Sequence, residues 1–195
     1  MNIIIIIIIF FLVIIFFILN FVNIIENYKN KYNVYLISNK PDLKFDYIQK
    51  INSLNLNSND KIVRFNHSGN PTIFPARTDI AVFRNNKNSY WGYKKPIWDN
   101  LKNKEIILLG TNKITKKCIK EGTLKNNKVE VIEYKFIEGK TESSGTQIIK
   151  HFIKNNSINK IYLVGFTFYD NKINWHNFKK EKEILTKYPN KVIQL

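Results

Sequence analysis

The residues best suited to chemistry in this sequence follow short apolar runs that have the composition of buried strands. In a parallel α/β sheet, ligands bind beyond the carboxyl ends of the strands, so polar residues at those positions are the first candidates for a site. Four such groups occur: Ser38-Asn39, Arg64-Phe65-Asn66, Ser143-Ser144-Gly145, and Gly165-Phe166 followed by Asn174-Trp175-His176.

These residue types together suit a phosphorylated nucleotide. Ser143-Ser144-Gly145 opens a predicted helix, whose free N–H groups and positive dipole end favour a phosphate. The amides of Asn39 and Asn66 can each donate and accept hydrogen bonds, as a base or a ribose requires.

Each residue also has a purely structural interpretation, which is favoured when the residue is taken singly. Asn39 can be an ordinary turn residue, and Asn66-His67-Ser68 can close a turn or form a glycosylation acceptor site. Ser144 with Gln147 three residues later reads as a capping box, which needs no ligand. His176 can pack beside its tryptophan neighbour. Their combination at strand ends is what favours a site.

The elements that must position these residues alternate between apolar runs and helical spacings. Strands are predicted at 34–37, 61–65, 79–83, 105–109, 128–136, 161–166 and 192–195. Helices are predicted over 42–54 with Asp42 as cap, near 114–119, over 144–155 with Ile148, Ile149, Phe152 and Ile153 as its apolar face, and over 175–188. The pattern predicts an α/β domain with a mainly parallel sheet and helices on both faces.

The order of the motifs resembles the eukaryotic-type sialyltransferases, glycosyltransferase family 29. The resemblance covers roughly residues 33–185. It rests on these segments: Val-Tyr-Leu-Ile-Ser-Asn (34–39), Ile-Val-Arg-Phe-Asn (62–66), Ser-Ser-Gly (143–145), Ile-Tyr-Leu-Val-Gly-Phe (161–166) and His-x-x-x-x-Glu (176–181).

The resemblance implies a variant Rossmann-like fold of the GT-A type, a CMP-sugar donor, a glycan acceptor, no metal and an inverting transfer. By it, His176 is the general base and Glu181 supports it. The donor-binding residues that it implies are Asn39, Asn66, Ser143, Ser144, Gly145, Gly165 and Trp175. In a regular helix, residues five apart lie about 140° apart, so Glu181 can orient His176 only if His176 stands at the helix start.

The sequence departs from the family pattern at defined positions. Ser38 stands where the family has Gly before Asn39, and Glu142 stands where it has Pro before the Ser-Ser-Gly. The family's motifs share a disulfide, whereas Cys118 is the single cysteine of this chain. A separate His-Tyr motif is missing, so His176 must serve for two residues or the second role is lost.

The composition of the chain indicates which kinds of partner it binds. The chain of 195 residues carries a net charge of +16, but its lysines are scattered throughout, which favours a solvated basic surface over a nucleic-acid interface. One Cys, three His and no Asp-x-Asp pair argue against a metal site. A donor with a single phosphate can be held by helix-end N–H groups without a cation.

The first 25 residues predict an uncleaved transmembrane signal anchor, followed by a short polar stalk at 26–33 and a catalytic domain at 34–195. Ile3 to Ile25 is almost wholly apolar, and its 23 residues reach about 34 Å as a helix, enough to span a bilayer core. A cleaved signal peptide would have a charged start and small residues at a cleavage site. Lys29 and Lys31 favour a cytoplasmic domain, whereas the resemblance implies a lumenal one of Golgi or endoplasmic-reticulum type.

Three hypotheses remain open at this point. The first is a membrane-anchored, sialyltransferase-like enzyme. The second is a catalytically decayed relative that binds a glycan or a nucleotide. The third is a basic, membrane-tethered protein that binds nucleic acid or anionic lipid through its charge, which the salt dependence of binding would reveal.

Overall fold

The computed structural model describes residues 3–29, 31–38, 53, 56–65, 78–84, 104–110, 127–133, 136–137, 140–166 and 178–195. The chain divides into two units, Met1–Lys31 and Tyr32–Leu195. Of the predicted elements, the helices over 42–54 and near 114–119 lie outside the described residues, apart from Ser53.

The first unit is one helix, α1 (Ile3–Lys29), of 27 residues. At 1.5 Å per residue it is about 40 Å long. Its large apolar side chains are exposed, from Ile3 at 75% to Ile25 at 38%. Asn20 donates its side-chain amide to the carbonyl of Phe16, 2.8 Å away, so this polar group is satisfied inside the helix. Among the described residues, no membrane-spanning helix is found.

The second unit is built on a seven-stranded sheet in which every described strand pairing is parallel. Its strands are β1 (Tyr32–Ile37), β2 (Lys61–Phe65), β3 (Ile80–Arg84), β4 (Glu105–Leu109), β5 (Lys128–Ile132), β8 (Ile158–Val164) and β9 (Val192–Gln194). The order across the sheet is β5-β4-β3-β2-β1-β8-β9. A separate two-stranded sheet pairs β6 (Phe136–Ile137) with β7 (Lys140–Thr141). The predicted parallel α/β sheet is confirmed.

The central strands are buried on both faces, which is why they read as continuous apolar runs. In β1, the four residues Val34 to Ile37 are at most 5% exposed. Val34 and Leu36 join the larger core cluster, while Ile37 belongs to a second cluster with Ile62 and Val164. Because successive side chains of a strand point to opposite faces, these two clusters mark the two faces of the sheet.

Two helices cover the larger cluster, α2 (Ser144–Ile153) and α3 (Phe178–Lys187). Helical spacing gives α2 a buried face of Ile148, Ile149 and Phe152, as predicted, and Ile153 packs partly against it. Ile184 is the buried apolar residue of α3. Both helices lead directly into a parallel strand, so each begins at the edge of the sheet where the strands end.

The amino-terminal edge of the sheet is held by two aspartates. Asp60, which is 2% exposed, accepts from the backbone N–H of Asn33 at 2.8 Å and of Asn57 at 3.0 Å. Asp79 accepts from the N–H of Ile62 at 2.8 Å. These bonds satisfy backbone donors where strands begin, and they leave the opposite edge as the place where ligands are expected.

The prediction of one strand over 128–136 is wrong. Strand β5 ends at Ile132, where its pairing with β4 also ends at Leu109. Gly110 makes the last backbone bond, donating to the carbonyl of Ile132 at 3.0 Å. The next described strand, β6, pairs antiparallel with β7 in the separate two-stranded sheet.

Smaller boundary differences have local causes. The strand predicted at 161–166 begins at Ile158 and ends at Val164, since Gly165 takes a φ of 70° that a strand cannot continue. The helix predicted over 144–155 ends at Ile153. Of the helix predicted over 175–188, Phe178–Lys187 is described as helical.

Candidate functional site

A topological switch point lies between β1 and β8. The chain passes from β1 to β2 on one side and later places β8 on the other side of β1. The N–H of Ser38 donates to the carbonyl of Val164 at 2.9 Å, so the two strands stay paired up to their carboxyl ends. In open α/β sheets, a crevice at such a point is where ligands bind.

The start of α2 reaches this edge of the sheet. Gly145 lies so close to the chain leaving β8 that an added Cβ would stand 2.5 Å from Cε1 of Phe166. The Phe166 ring in turn meets Phe65 at the end of β2, with ring centroids 5.9 Å apart and planes at 75°. Three of the predicted donor residues, Ser144, Gly145 and Gly165, therefore belong to segments that meet at the ends of β2 and β8.

The helix cap differs from the predicted capping box by one residue. Ser143, not Ser144, is the N-cap: its backbone is extended and its Oγ accepts from the N–H of Thr146 at 3.2 Å. Gln147 does not reach back to a backbone N–H; its side-chain amide donates to the carbonyl of Glu142 at 3.1 Å. The capping box over Ser144 and Gln147 is therefore wrong, because the extended residue that ends the loop is Ser143.

This cap leaves two backbone donors at the start of α2. The N–H of Thr146 is bound by Ser143 Oγ, and the N–H of Gln147 donates to the carbonyl of Ser143 at 3.1 Å. Within the described part of the chain, the N–H groups of Ser144 and Gly145 donate to no acceptor. Both residues are only partly buried, so these donors and the positive helix end are available to an anion.

Glu181 holds the start of α2 from the first turn of α3. Its carboxylate is buried, at 1% exposure, and accepts from the N–H of Ser143 at 2.9 Å. It also accepts from the hydroxyl of Ser143 at 2.5 Å and from that of Thr146 at 2.7 Å. A carboxylate is favourable near the amino ends of two helices, since each contributes positive dipole charge. The described contacts of Glu181 thus fix the Ser-Ser-Gly segment.

Four of the predicted site residues lie outside the described residues: Asn39, Asn66, Trp175 and His176. His67 also lies outside them; it directly follows Asn66 in the sequence and is therefore the rival to His176 as the general base. What the structure provides is the arrangement of the strands before the two asparagines. β1 and β2 are adjacent, with Ile37 opposite Arg64, so both strands end at the same edge of the sheet.

Two residues near this edge were given no role in the predicted site, although Arg64 belongs to one of the four strand-end groups. Thr146 completes the carboxylate contact of Glu181, and the spacing Ser143-x-x-Thr146 is the signal that could have indicated it. Arg64 stands one residue before the end of β2 and is partly buried. Burial lowers the pKa of its guanidinium from the usual value. Arg remains protonated at neutral pH, so a positive charge lies beside the switch point.

Among the described residues, no group of three or more His, Cys, Asp and Glu side chains could hold a metal ion. Comparison with known proteins gives no match: no family model fits the chain, and no curated protein or solved structure is significantly similar to it.

Proposed function

We propose that this protein is a membrane-anchored, sialyltransferase-like glycosyltransferase that moves a sugar from a CMP-activated donor to a hydroxyl group of an acceptor glycan. The observation that carries the proposal is the start of α2. It presents the N–H groups of Ser144 and Gly145 at the edge of a parallel sheet, beside a topological switch point. Helix starts of this kind bind phosphate.

The proposed donor site uses the α2 start for the phosphate. Because Glu181 occupies the N–H and hydroxyl of Ser143, the phosphate is left to the N–H groups of Ser144 and Gly145. Ser143 then supports the site as the cap that keeps this turn in place. Gly145 has no side chain to block the phosphate.

The remaining donor contacts follow from the sequence. Asn39 and Asn66 follow the ends of β1 and β2 and would bind the cytidine nucleotide. Gly165 and Trp175 would complete the pocket. A single phosphate is balanced by helix-end donors, so we expect donor binding to need no divalent cation.

In the proposed reaction, the acceptor hydroxyl attacks the anomeric carbon while the bond to the CMP oxygen breaks, which inverts the configuration. His176 takes the proton of that hydroxyl, and CMP leaves with the bonding electron pair. The transition state has oxocarbenium character, so removing the proton as the new bond forms is the step that a general base accelerates.

We also propose that α1 anchors the protein as a membrane-spanning helix, with the second unit in a Golgi or endoplasmic-reticulum lumen. The support for this proposal is the length of α1 and its almost wholly apolar sequence from Ile3 to Ile25. Its 27 residues reach about 40 Å, more than a bilayer core of about 30 Å. Its apolar side chains are exposed rather than buried, so a bilayer would remove them from water. Retention in the membrane pellet after alkaline carbonate washing tests this.

A second candidate function is a decayed relative that binds CMP or a glycan without transfer. One feature favours it: His176 is the single histidine after Gly165, where the family has a second His motif. Such a protein would keep the nucleotide site but would not transfer the sugar.

The test is CMP release by the full-length chain in a nonionic detergent, supplied with CMP-sialic acid and a mixture of glycan acceptors. We expect release that a chelator does not abolish. His176→Ala should lower turnover by about 10²- to 10⁴-fold with little change in CMP binding. His67→Ala, the matched control for the rival base, should cost less. CMP binding without release supports the decayed relative, and absence of CMP binding contradicts both functions.

A further inference from the structure

A groove of about 640 Å³ runs along the face of the second unit formed by α2 and α3. Residues of both helices and the end of β5 line it. Those that matter here are Glu142, Gln147, Lys150, Lys187 and Tyr188. The described donor-site residues, Ser143, Ser144, Gly145 and Gly165, do not line it, so the groove is distinct from the described part of the switch-point crevice. Its volume lies within the usual range of ligand pockets, about 300–1,000 Å³.

Two of the lining side chains keep buried oxygens without a hydrogen bond. Glu142 is 2% exposed and Gln147 is 4% exposed. Within the described part of the chain, Oε2 of Glu142 and Oε1 of Gln147 accept no hydrogen bond. An unsatisfied buried acceptor costs about 1–3 kcal/mol, so two of them on residues that line one groove are an unusual feature of a folded protein.

The hydrogen bonds of the neighbouring atoms show which kind of group could bind to Oε2 of Glu142 and Oε1 of Gln147. The Gln147 amide nitrogen donates to the carbonyl of Glu142 at 3.1 Å, which fixes the amide so that Oε1 is an acceptor. Oε1 of Glu142 forms a salt bridge with Lys150. Both remaining atoms can only accept, so a ligand that completes this floor must offer N–H or O–H donors.

The charges around the groove disfavour simple inorganic ions and polyamines. Among the described lining residues are four lysines, Lys150, Lys154, Lys180 and Lys187, and three glutamates, Glu133, Glu142 and Glu183. The lysines disfavour an amine, which would otherwise suit the carboxylate. The buried acceptors and the glutamates disfavour a fully deprotonated anion such as sulfate, which offers no hydrogen-bond donor. A neutral ligand that carries several hydroxyl groups meets neither penalty.

We propose that this groove binds a neutral saccharide. Its hydroxyl groups would donate to Oε2 of Glu142 and Oε1 of Gln147. The half-buried ring of Tyr188 would offer an apolar surface for the C–H face of a sugar ring once Lys187, whose Nζ lies over the ring 5.7 Å from its centroid, moves aside. Because the two oxygens are buried, part of the side-chain cover must move aside. Lys150, with 46% of its side chain exposed, is the side chain best able to do so. The site does not depend on the transferase function.

The probes are maltose, lactose and sucrose, with inorganic sulfate as the anionic control and spermidine as the cationic control. They are titrated into the full-length chain in a polyoxyethylene detergent, which has no sugar headgroup. We expect at least one disaccharide to bind with millimolar affinity and to shift the amide resonances of Gln147, Lys150 and Lys187. Gln147→Met, which keeps the side-chain length and removes the acceptor, should weaken binding about fivefold, the effect of one hydrogen bond.

Asn159→Leu is the matched control, since it removes an exposed amide outside the groove and should leave the affinity unchanged. Tyr188→Phe should retain the affinity and Tyr188→Ala should lose it. The proposal is overturned if no disaccharide binds to the folded wild-type chain, or if sulfate or spermidine binds more tightly than every sugar. It is overturned equally if a sugar binds but Gln147→Met leaves both the affinity and the shifted resonances unchanged.

Discussion

Two buried glutamates, Glu142 and Glu181, lie next to the α2 cap. Their carboxylates differ in how many hydrogen-bond partners they have among the described residues. Among the described contacts, Glu181 accepts three hydrogen bonds, from the backbone and hydroxyl of Ser143 and from the hydroxyl of Thr146. Glu142, which precedes Ser143, has one salt bridge to Lys150 and one oxygen without a partner among the described residues. Both side chains are nearly inaccessible to solvent.

The difference separates a positioning role from a binding role. A carboxylate whose described bonds join two helix starts holds their relative placement, since any shift breaks several bonds together. A carboxylate with a free buried oxygen gains little from its present surroundings and more from a ligand that donates to it. The proposed donor site depends on the first arrangement, and the proposed saccharide groove depends on the second.

The positioning role of the Glu181 carboxylate is tested most directly by removing it. We expect Glu181→Ala to lower the free energy of unfolding by about 3 kcal/mol, because Ser143 and Thr146 lose a charged acceptor in a buried site. Urea unfolding of the full-length chain in detergent measures this. The matched control is Glu183→Ala on the same helix, whose exposed side chain should cost less than about 0.5 kcal/mol. Equal effects of the two substitutions would contradict the positioning role.

The approach of α2 to the end of β8 is tested at Gly145. We expect Gly145→Ala to lower the free energy of unfolding by about 2 kcal/mol, since the new Cβ would overlap the Phe166 ring and force it to move. Phe166→Leu in the same chain should recover part of the loss, giving a favourable coupling energy in a double-mutant cycle. Ser144→Ala is the control for helix propensity. A Gly145→Ala variant as stable as the wild type would mean that the two segments are not in contact.

Most of the sheet could be predicted from the sequence. The strands β1 and β4 are buried on both faces, so 34–37 and 106–109 appear as unbroken apolar runs, whereas the run of β2 is interrupted by the partly buried Arg64. The apolar face of α2 was predictable because Ile148, Ile149 and Phe152 have helical spacing. The end of β5 was not, since an edge strand that loses its neighbour after Ile132 has no distinct local pattern.

The candidate site could be predicted only where a short segment of the sequence indicates the structure by itself. The Ser-Ser-Gly segment was placed correctly at a helix start, although the cap was assigned one residue too late. The contact of Glu181 with Ser143 joins residues 38 positions apart, and no spacing rule encodes it. Unpaired oxygens such as those of Glu142 and Gln147 are properties of packing, which the sequence does not display.

A smaller effect is expected at the cap itself. Ser143→Ala should lower the free energy of unfolding by about 1 kcal/mol, because the N–H of Thr146 loses its acceptor while Glu181 keeps its bonds to the Ser143 N–H and to Thr146. Ser143→Thr, which retains a hydroxyl, serves as the control. If Ser143→Ala lowered the free energy of unfolding as much as Glu181→Ala, the Ser143 hydroxyl would provide most of the stabilisation that Ser143, Thr146 and Glu181 give together.

The smallest effect, and the one that completes the comparison, is expected at Glu142. We expect Glu142→Met to change the free energy of unfolding by less than about 1 kcal/mol, or to raise it. The substitution removes a buried oxygen without a partner, and Lys150 is exposed enough to be solvated without its salt bridge. The same change at Glu181 is the matched control and should destabilise the chain strongly. If Glu142→Met destabilised it as much as Glu181→Met, the two carboxylates would both be structural, and the saccharide groove would lose its main support.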